Sequence, residues 1–167
     1  QDFYNHKGKN LEELKKKYPL LFPENTPDSI WIAKIKDKDE QELYKETQKL
    51  FSSFSNIETE LRSLFQYIIY YNPMFKVPDI ITGLSNIDYD YRVIYTKLLV
   101  FISLDVYLGN EHPFYSDFPS YIKQNNISER IVIDVANAII DSQFSPLRNR
   151  SFLAKMIHEG KKLYLLD

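Results

Sequence analysis

Leu98-Leu99-Val100-Phe101-Ile102-Ser103-Leu104-Asp105-Val106-Tyr107-Leu108-Gly109 is the stretch that decides the fold. Leu98 to Leu104 is apolar without alternation, which predicts a strand covered on both faces. A helix over Val93 to Leu108 stays open as an alternative, because the run is long enough for one. One carboxylate, Asp105, sits near its end, and Gly109 stops it. An aromatic turn follows at once, Pro113-Phe114-Tyr115-Ser116-Asp117-Phe118-Pro119-Ser120-Tyr121. A buried carboxylate costs several kcal/mol unless it is paired or hydrogen-bonded. Asp105 therefore accepts backbone N–H bonds at the turn, pairs with Arg92 or Lys97, or faces a ligand, a partner or a reaction.

Outward from this strand, Arg92 to Tyr95 and Val77 to Gly83 are short and β-branched and predict two more strands. Asp88-Tyr89-Asp90-Tyr91 reads as a turn or strand edge. Toward the N-terminus the period changes to that of helices. Asn10, with Glu13 three residues on, suits a capping box for a helix over Leu11 to Tyr18. Lys15, Lys16 and Lys17 on it read as a solvated face, with a membrane-surface contact as the other reading. Pro19, Pro23 and Pro27 make Tyr18 to Asp28 an ordered loop, and Asp28 or Ser29 caps a turn around Trp31. Asp39 to Phe54 reads as an amphipathic helix, and a second one, capped by Asn56, carries Leu61, Leu64, Phe65, Ile68 and Ile69 and stops before Pro73.

Beyond the aromatic turn, Pro119 to Asn125 predicts a short helix, and Ser128 a cap for Ile131 to Gln143. Phe144 to Arg150 is a loop. Ser151 opens a last helix, Phe152 to Leu165, with Phe152, Met156 and Leu163 on one face and Lys155 and Lys162 on the other. The reading is thus one α+β domain over 1–167: 1–73 mainly helical, a small mixed or antiparallel sheet in 74–110, and 111–167 mainly helical. The last helix reaches the end of the sequence without a cap, and the first residue is not Met; both suggest a trimmed, C-terminally truncated chain.

Composition narrows the chemistry. A net charge of −2 over 167 residues argues against nucleic acid as a partner. The 4 glycines form no phosphate-binding loop. Without cysteine, thiol catalysis, disulfides and thiolate metal sites are excluded. No apolar run is long enough to span a bilayer as a helix. The 13 tyrosines suit half-buried surfaces and interfaces.

Three constellations invite a chemical reading. His158-Glu159-Gly160-Lys161-Lys162 resembles half of a zinc-peptidase helix, but Lys162 stands where the second histidine ligand belongs. His158 and Glu159 are thus weak metal candidates, and His6, His112 and His158 would need three distant segments to meet. Asp105, Tyr107, Asn110, His112, Tyr115 and Tyr121 are the candidate binding residues. Of these, Tyr107, Tyr115 and Tyr121 suggest a glycan platform, or else the local core of the turn. Carboxylate pairs such as Asp88 with Asp90 cannot be placed at a catalytic separation by spacing alone. No catalytic residue and no cofactor is assigned.

Leu104-Asp105-Val106-Tyr107-Leu108-Gly109 with His112, the Phe114 to Ile122 turn, and Ser151-Phe152-Leu153-Ala154-Lys155-Met156-Ile157 with Gly160-Lys161 and Leu163-Tyr164 resemble the gliding-motility-associated lipoprotein GldB family of Bacteroidetes-type bacteria. Lys17-Tyr18-Pro19, Leu21-Phe22-Pro23, Tyr70-Tyr71-Asn72-Pro73 and Tyr91-Arg92-Val93-Ile94-Tyr95 fit the same pattern. The resemblance implies a non-enzymatic, periplasm-facing lipoprotein of the cell envelope. Its lipid anchor would lie upstream of Gln1, and its partners would be other envelope proteins of gliding and type 9 secretion. It also implies a longer C-terminal part and a distant, degenerate likeness to the zincin metallopeptidase fold. A divergent zinc metallopeptidase is the alternative, and a glycan- or peptidoglycan-binding module a further one.

Overall fold

The computed structural model describes residues 10–19, 22, 26–144 and 151–166. The chain divides into two compact units, residues 1–49 and 50–167. The first holds helices α1 (Leu11–Lys17), α2 (Asp28–Lys36) and α3 (Lys38–Leu50). Asn10 precedes α1 but makes no capping bond with its side chain. Lys15 of the basic run is bonded to Asp28 rather than simply solvated. α2 is a full helix where the sequence suggests a turn around Trp31. Asp37 then ends α2 and starts α3, its Oδ1 accepting the N–H groups of Asp39 (2.9 Å) and Glu40 (3.1 Å). α3 stops at Leu50, short of the expected Phe54, where Ser52 and Ser53 break it. Leu21, Pro23 and the segment 145–150 lie outside the described residues, so the expected loops there are only partly seen.

The second unit is α+β. It contains α4 (Ser55–Tyr71), β1 (Asp79–Gly83), β2 (Val93–Tyr95), β3 (Leu99–Ser103), α5 (Ser120–Lys123), α6 (Arg130–Gln143) and α7 (Phe152–Leu166). The sheet order is β1-β3-β2. β1 runs parallel to β3, with Asp79 opposite Leu99 and Gly83 opposite Ser103. β2 is antiparallel to β3, with Val93 opposite Ile102. The sheet is mixed, and the helical reading of Val93 to Leu108 is replaced by two strands with a turn between them. β3 is central, which accounts for its lack of alternation. Its cover is nevertheless unequal: Val100 and Ile102 are fully buried, while Leu99 and Phe101 on the other face are half-buried.

The core joins Val100, Ile102, Leu104 and Val106 to Leu61 and Phe65 of α4 and to Ile131, Val135 and Ile139 of α6. The helical residues recur at four-residue spacing, so each helix turns one apolar stripe to the sheet. α6 packs on β2, on α4 and on α7. Neither Asn56 nor Ser128 caps a helix: α4 starts two residues earlier, with Phe54 at its cap position, and α6 follows Glu129 without a side-chain cap. Ser151 does open α7, accepting the Ala154 N–H at 3.3 Å.

Candidate functional site

At the end of β3 the chain tightens into a single 3-10 turn, Leu104–Val106, which carries Asp105 inward. Asp105 is fully buried. Its carboxylate accepts the N–H of Ser85 at 3.0 and 3.1 Å and that of Ile87 at 2.6 Å. It is thus an acceptor of backbone donors, as one of the sequence readings holds, but the donors come from the loop after β1. Arg92, one of the two cations suggested as its partner beside Lys97, donates to Asp134.

That loop has a demanding backbone. Asn86 has φ 63° and Ile87 φ 58°, both in the left-handed region. Asparagine tolerates this conformation, but a β-branched residue there is an outlier costing about 1–3 kcal/mol. The two N–H groups flanking Asn86 converge on one carboxylate, the geometry of a backbone anion nest. Asp105 stabilises the strained turn by occupying it.

The Asp105 carbonyl accepts the Tyr115 hydroxyl at 2.6 Å, and the same hydroxyl oxygen accepts the Leu108 N–H at 2.9 Å. Tyr115 therefore ties the aromatic turn back onto the strand exit. Gly109 has φ 110°, which a side chain would strain, and its N–H reaches the Asn126 carbonyl at 2.8 Å. Tyr107, also fully buried, donates its hydroxyl to Asp134 at 2.9 Å. Asp134 accepts in addition from Arg92 (2.9 Å) and Arg130 (3.3 Å). The Arg92 guanidinium lies 3.9 Å from the Tyr89 ring centroid, a cation–π distance.

The six candidate binding residues do not share one surface. Asp105, Tyr107 and Tyr115 are core groups. Asn110 is exposed, and half-buried His112 packs on Phe114 and Tyr115 while its Nδ1 accepts the Phe114 N–H. Tyr121 is 71% exposed. A platform of Tyr107, Tyr115 and Tyr121 is not assembled, because two of its rings are enclosed and their hydroxyls hold backbone and carboxylate. The sequence reading misses Asp134 and Arg130, and it offers Arg92 to Asp105 where the structure gives it to Asp134. The available signal is a lone acid inside an apolar helical run, four residues after an arginine.

Burial pushes the Tyr107 phenol far above its ordinary 10.0, and the Asp134 carboxylate adds to the shift. Burial does the same for Tyr115. A pKa raised by folding gives stability that is fully present below pH 10 and is lost as pH rises toward the folded value. Urea unfolding between pH 9 and 11 will show stability falling above pH 10, with each buried tyrosine contributing a slope that approaches about 1.4 kcal/mol per pH unit as pH rises past 11. Tyr107→Phe and Tyr115→Phe each remove one such share.

On α7, half-buried His158 meets the Phe144 ring edge-on at 5.4 Å. Lys162 pairs with Asp141 of α6 at 2.8 Å and with Glu159 at 3.3 Å, and these partners raise its pKa, so it is an ammonium. His6 lies outside the described residues. Among the described residues, no three His, Cys, Asp or Glu side chains gather as a metal site requires.

The α+β unit built around an internal carboxylate latch is matched over its whole length by one protein family. The family model described as gliding motility protein GldB covers residues 1–167, and the chain belongs to that family of gliding-motility lipoproteins. Association with the cell envelope follows from that membership. No curated protein matches the chain, and no solved structure does. No helix among the described residues is long and apolar enough to cross a membrane.

Proposed function

We propose that this chain acts as a non-enzymatic scaffold or adaptor in the gliding machinery and the associated type 9 secretion apparatus, lipid-anchored and facing the periplasm. The family match over residues 1–167 carries the reading. The engagement of four buried polar groups supports it: Asp105, Tyr107, Tyr115 and Asp134 all hold backbone or one another. A scaffold needs a fixed shape, and such networks supply one.

A tagged full-length protein, cross-linked in cells and purified, tests the proposal. Envelope proteins of the motility and secretion machinery are expected to co-purify in fixed ratio. Stoichiometric zinc together with peptide cleavage that disappears in His158→Ala overturns it in favour of a metallopeptidase.

A further inference from the structure

α7 is mounted inside out. At 100° per residue, Phe152, Leu153, Met156, Ile157, Leu163 and Tyr164 fall within about 140° of arc. Each of the six is more than half exposed, and Phe152 and Tyr164 reach 79%. The opposite side, with Ala154, His158 and Lys162, is the half-buried one. It meets the unit through the Lys162–Asp141 ion pair and the His158–Phe144 ring contact. A surface helix ordinarily turns its apolar stripe to the core. Here the polar stripe does so, and the apolar arc faces outward.

Two features indicate what the arc meets. The first is charge. α7 carries Lys155, Lys161 and Lys162 against the single acid Glu159, and that acid is paired with Lys162. Lys155 and Lys161 are exposed, one beyond each edge of the arc. This is the pattern of an interfacial helix, with apolar side chains down and lysines reaching sideways to headgroups. The second is a shallow groove of about 430 Å³ along the helix, lined by Ile157, Gly160, Tyr164, Leu165 and Phe144, with Lys161 at its side. The missing side chain at Gly160 deepens it, and the mixture of apolar floor and ammonium rim suits an acyl chain below an anionic headgroup.

We infer that α7 lies on an anionic phospholipid surface, immersing the Phe152-to-Tyr164 arc, with Lys155 and Lys161 at the headgroups. A member of a lipoprotein family works beside such a surface, but the contact stands independently of any lipid anchor and of the scaffold role.

The test is flotation of the purified, unacylated chain with vesicles of phosphatidylglycerol and phosphatidylethanolamine, and with vesicles of phosphatidylcholine alone. Binding to the anionic vesicles that weakens with added salt is expected, with little binding to the neutral ones. Leu153→Glu with Ile157→Glu should lower the bound fraction at least about tenfold, and Lys155→Glu with Lys161→Glu should remove the preference for anionic lipid. All four positions are exposed, so unchanged circular dichroism melts verify folding. In Met156→Trp, the added emission should shift to the blue with anionic vesicles and be quenched by brominated acyl chains. Absence of vesicle binding, or a dimer in light scattering that Leu153→Glu dissociates, overturns the inference; the second outcome assigns the arc to another copy of the chain.

Discussion

Asp105→Asn lowers the unfolding free energy by about 2–4 kcal/mol, although it changes little more than one oxygen to nitrogen. The carboxylate accepts from Ser85 and Ile87, and hydrogen bonds to a charged acceptor contribute about 1.5–3 kcal/mol each. An asparagine offers one oxygen to two converging N–H groups and turns its own NH2 toward the other. One buried donor then faces a donor. Part of the loss is offset, because a released loop no longer holds Ile87 at φ 58°, returning about 1–3 kcal/mol. The signature is local as well as global. Amide exchange at Ser85 and Ile87 should accelerate more than exchange in α4 or α6. Ile87→Gly should soften the effect of Asp105→Asn, since glycine takes a positive φ without penalty. An Asp105→Asn midpoint in urea equal to wild type would remove Asp105 from this role.

The same residue shows what could be read from the sequence and what could not. That Asp105 is buried follows from its place at the end of an unalternating apolar run, and that a buried carboxylate must be satisfied is elementary. The donors could not be found that way. They lie about 20 residues earlier, and they converge only because β1 pairs parallel to β3, which periodicity does not encode. The strain at Ile87 was equally hidden: isoleucine is the residue least expected at a positive φ, and only the tertiary partner makes the conformation tolerable.

Helices were legible where a breaker or a strong stripe marks them. Pro73 and Asn72 fix the end of α4, and Leu61 with Phe65 fixes its inner face. α2 escaped notice because Asp28 to Lys36 is short and its apolar residues do not form a stripe. The cap of α3 went unread, although Asp37 with Glu40 three residues later has the spacing of a capping box. α7 was misleading in a more instructive way. Its amphipathic pattern is plain in the sequence, but which side meets the protein is set by Asp141 on α6 and by Phe144 just past its end, and they select the polar side.

The second large effect is expected at Asp134, which joins α6 to Arg92 just before β2 and to Tyr107 at the strand exit. Asp134→Ala should cost about 3–5 kcal/mol, because it strands a mostly buried guanidinium. Arg92 is the member that matters: its side chain is 14% exposed, against 33% for Arg130. Arg130→Ala should therefore cost about 1 kcal/mol or less, in the range of partly exposed ion pairs. Arg92→Ala leaves Asp134 its contacts with Arg130 and Tyr107, and falls between the two. The Arg92 and Asp134 substitutions should be strongly non-additive in a double-mutant cycle. Replacing the three most buried members with apolar groups, Arg92→Met, Asp134→Leu and Tyr107→Phe together, and leaving the partly exposed Arg130, should be less damaging than Asp134→Ala alone. Desolvating the charges opposes much of their mutual attraction, and the damage comes from leaving one of them without its partner. Urea unfolding of the four variants orders them. If the triple variant proves as unstable as Asp134→Ala, the network contributes net stability through its own hydrogen bonds, which would make it a determinant of the fold as firm as the apolar core beneath it.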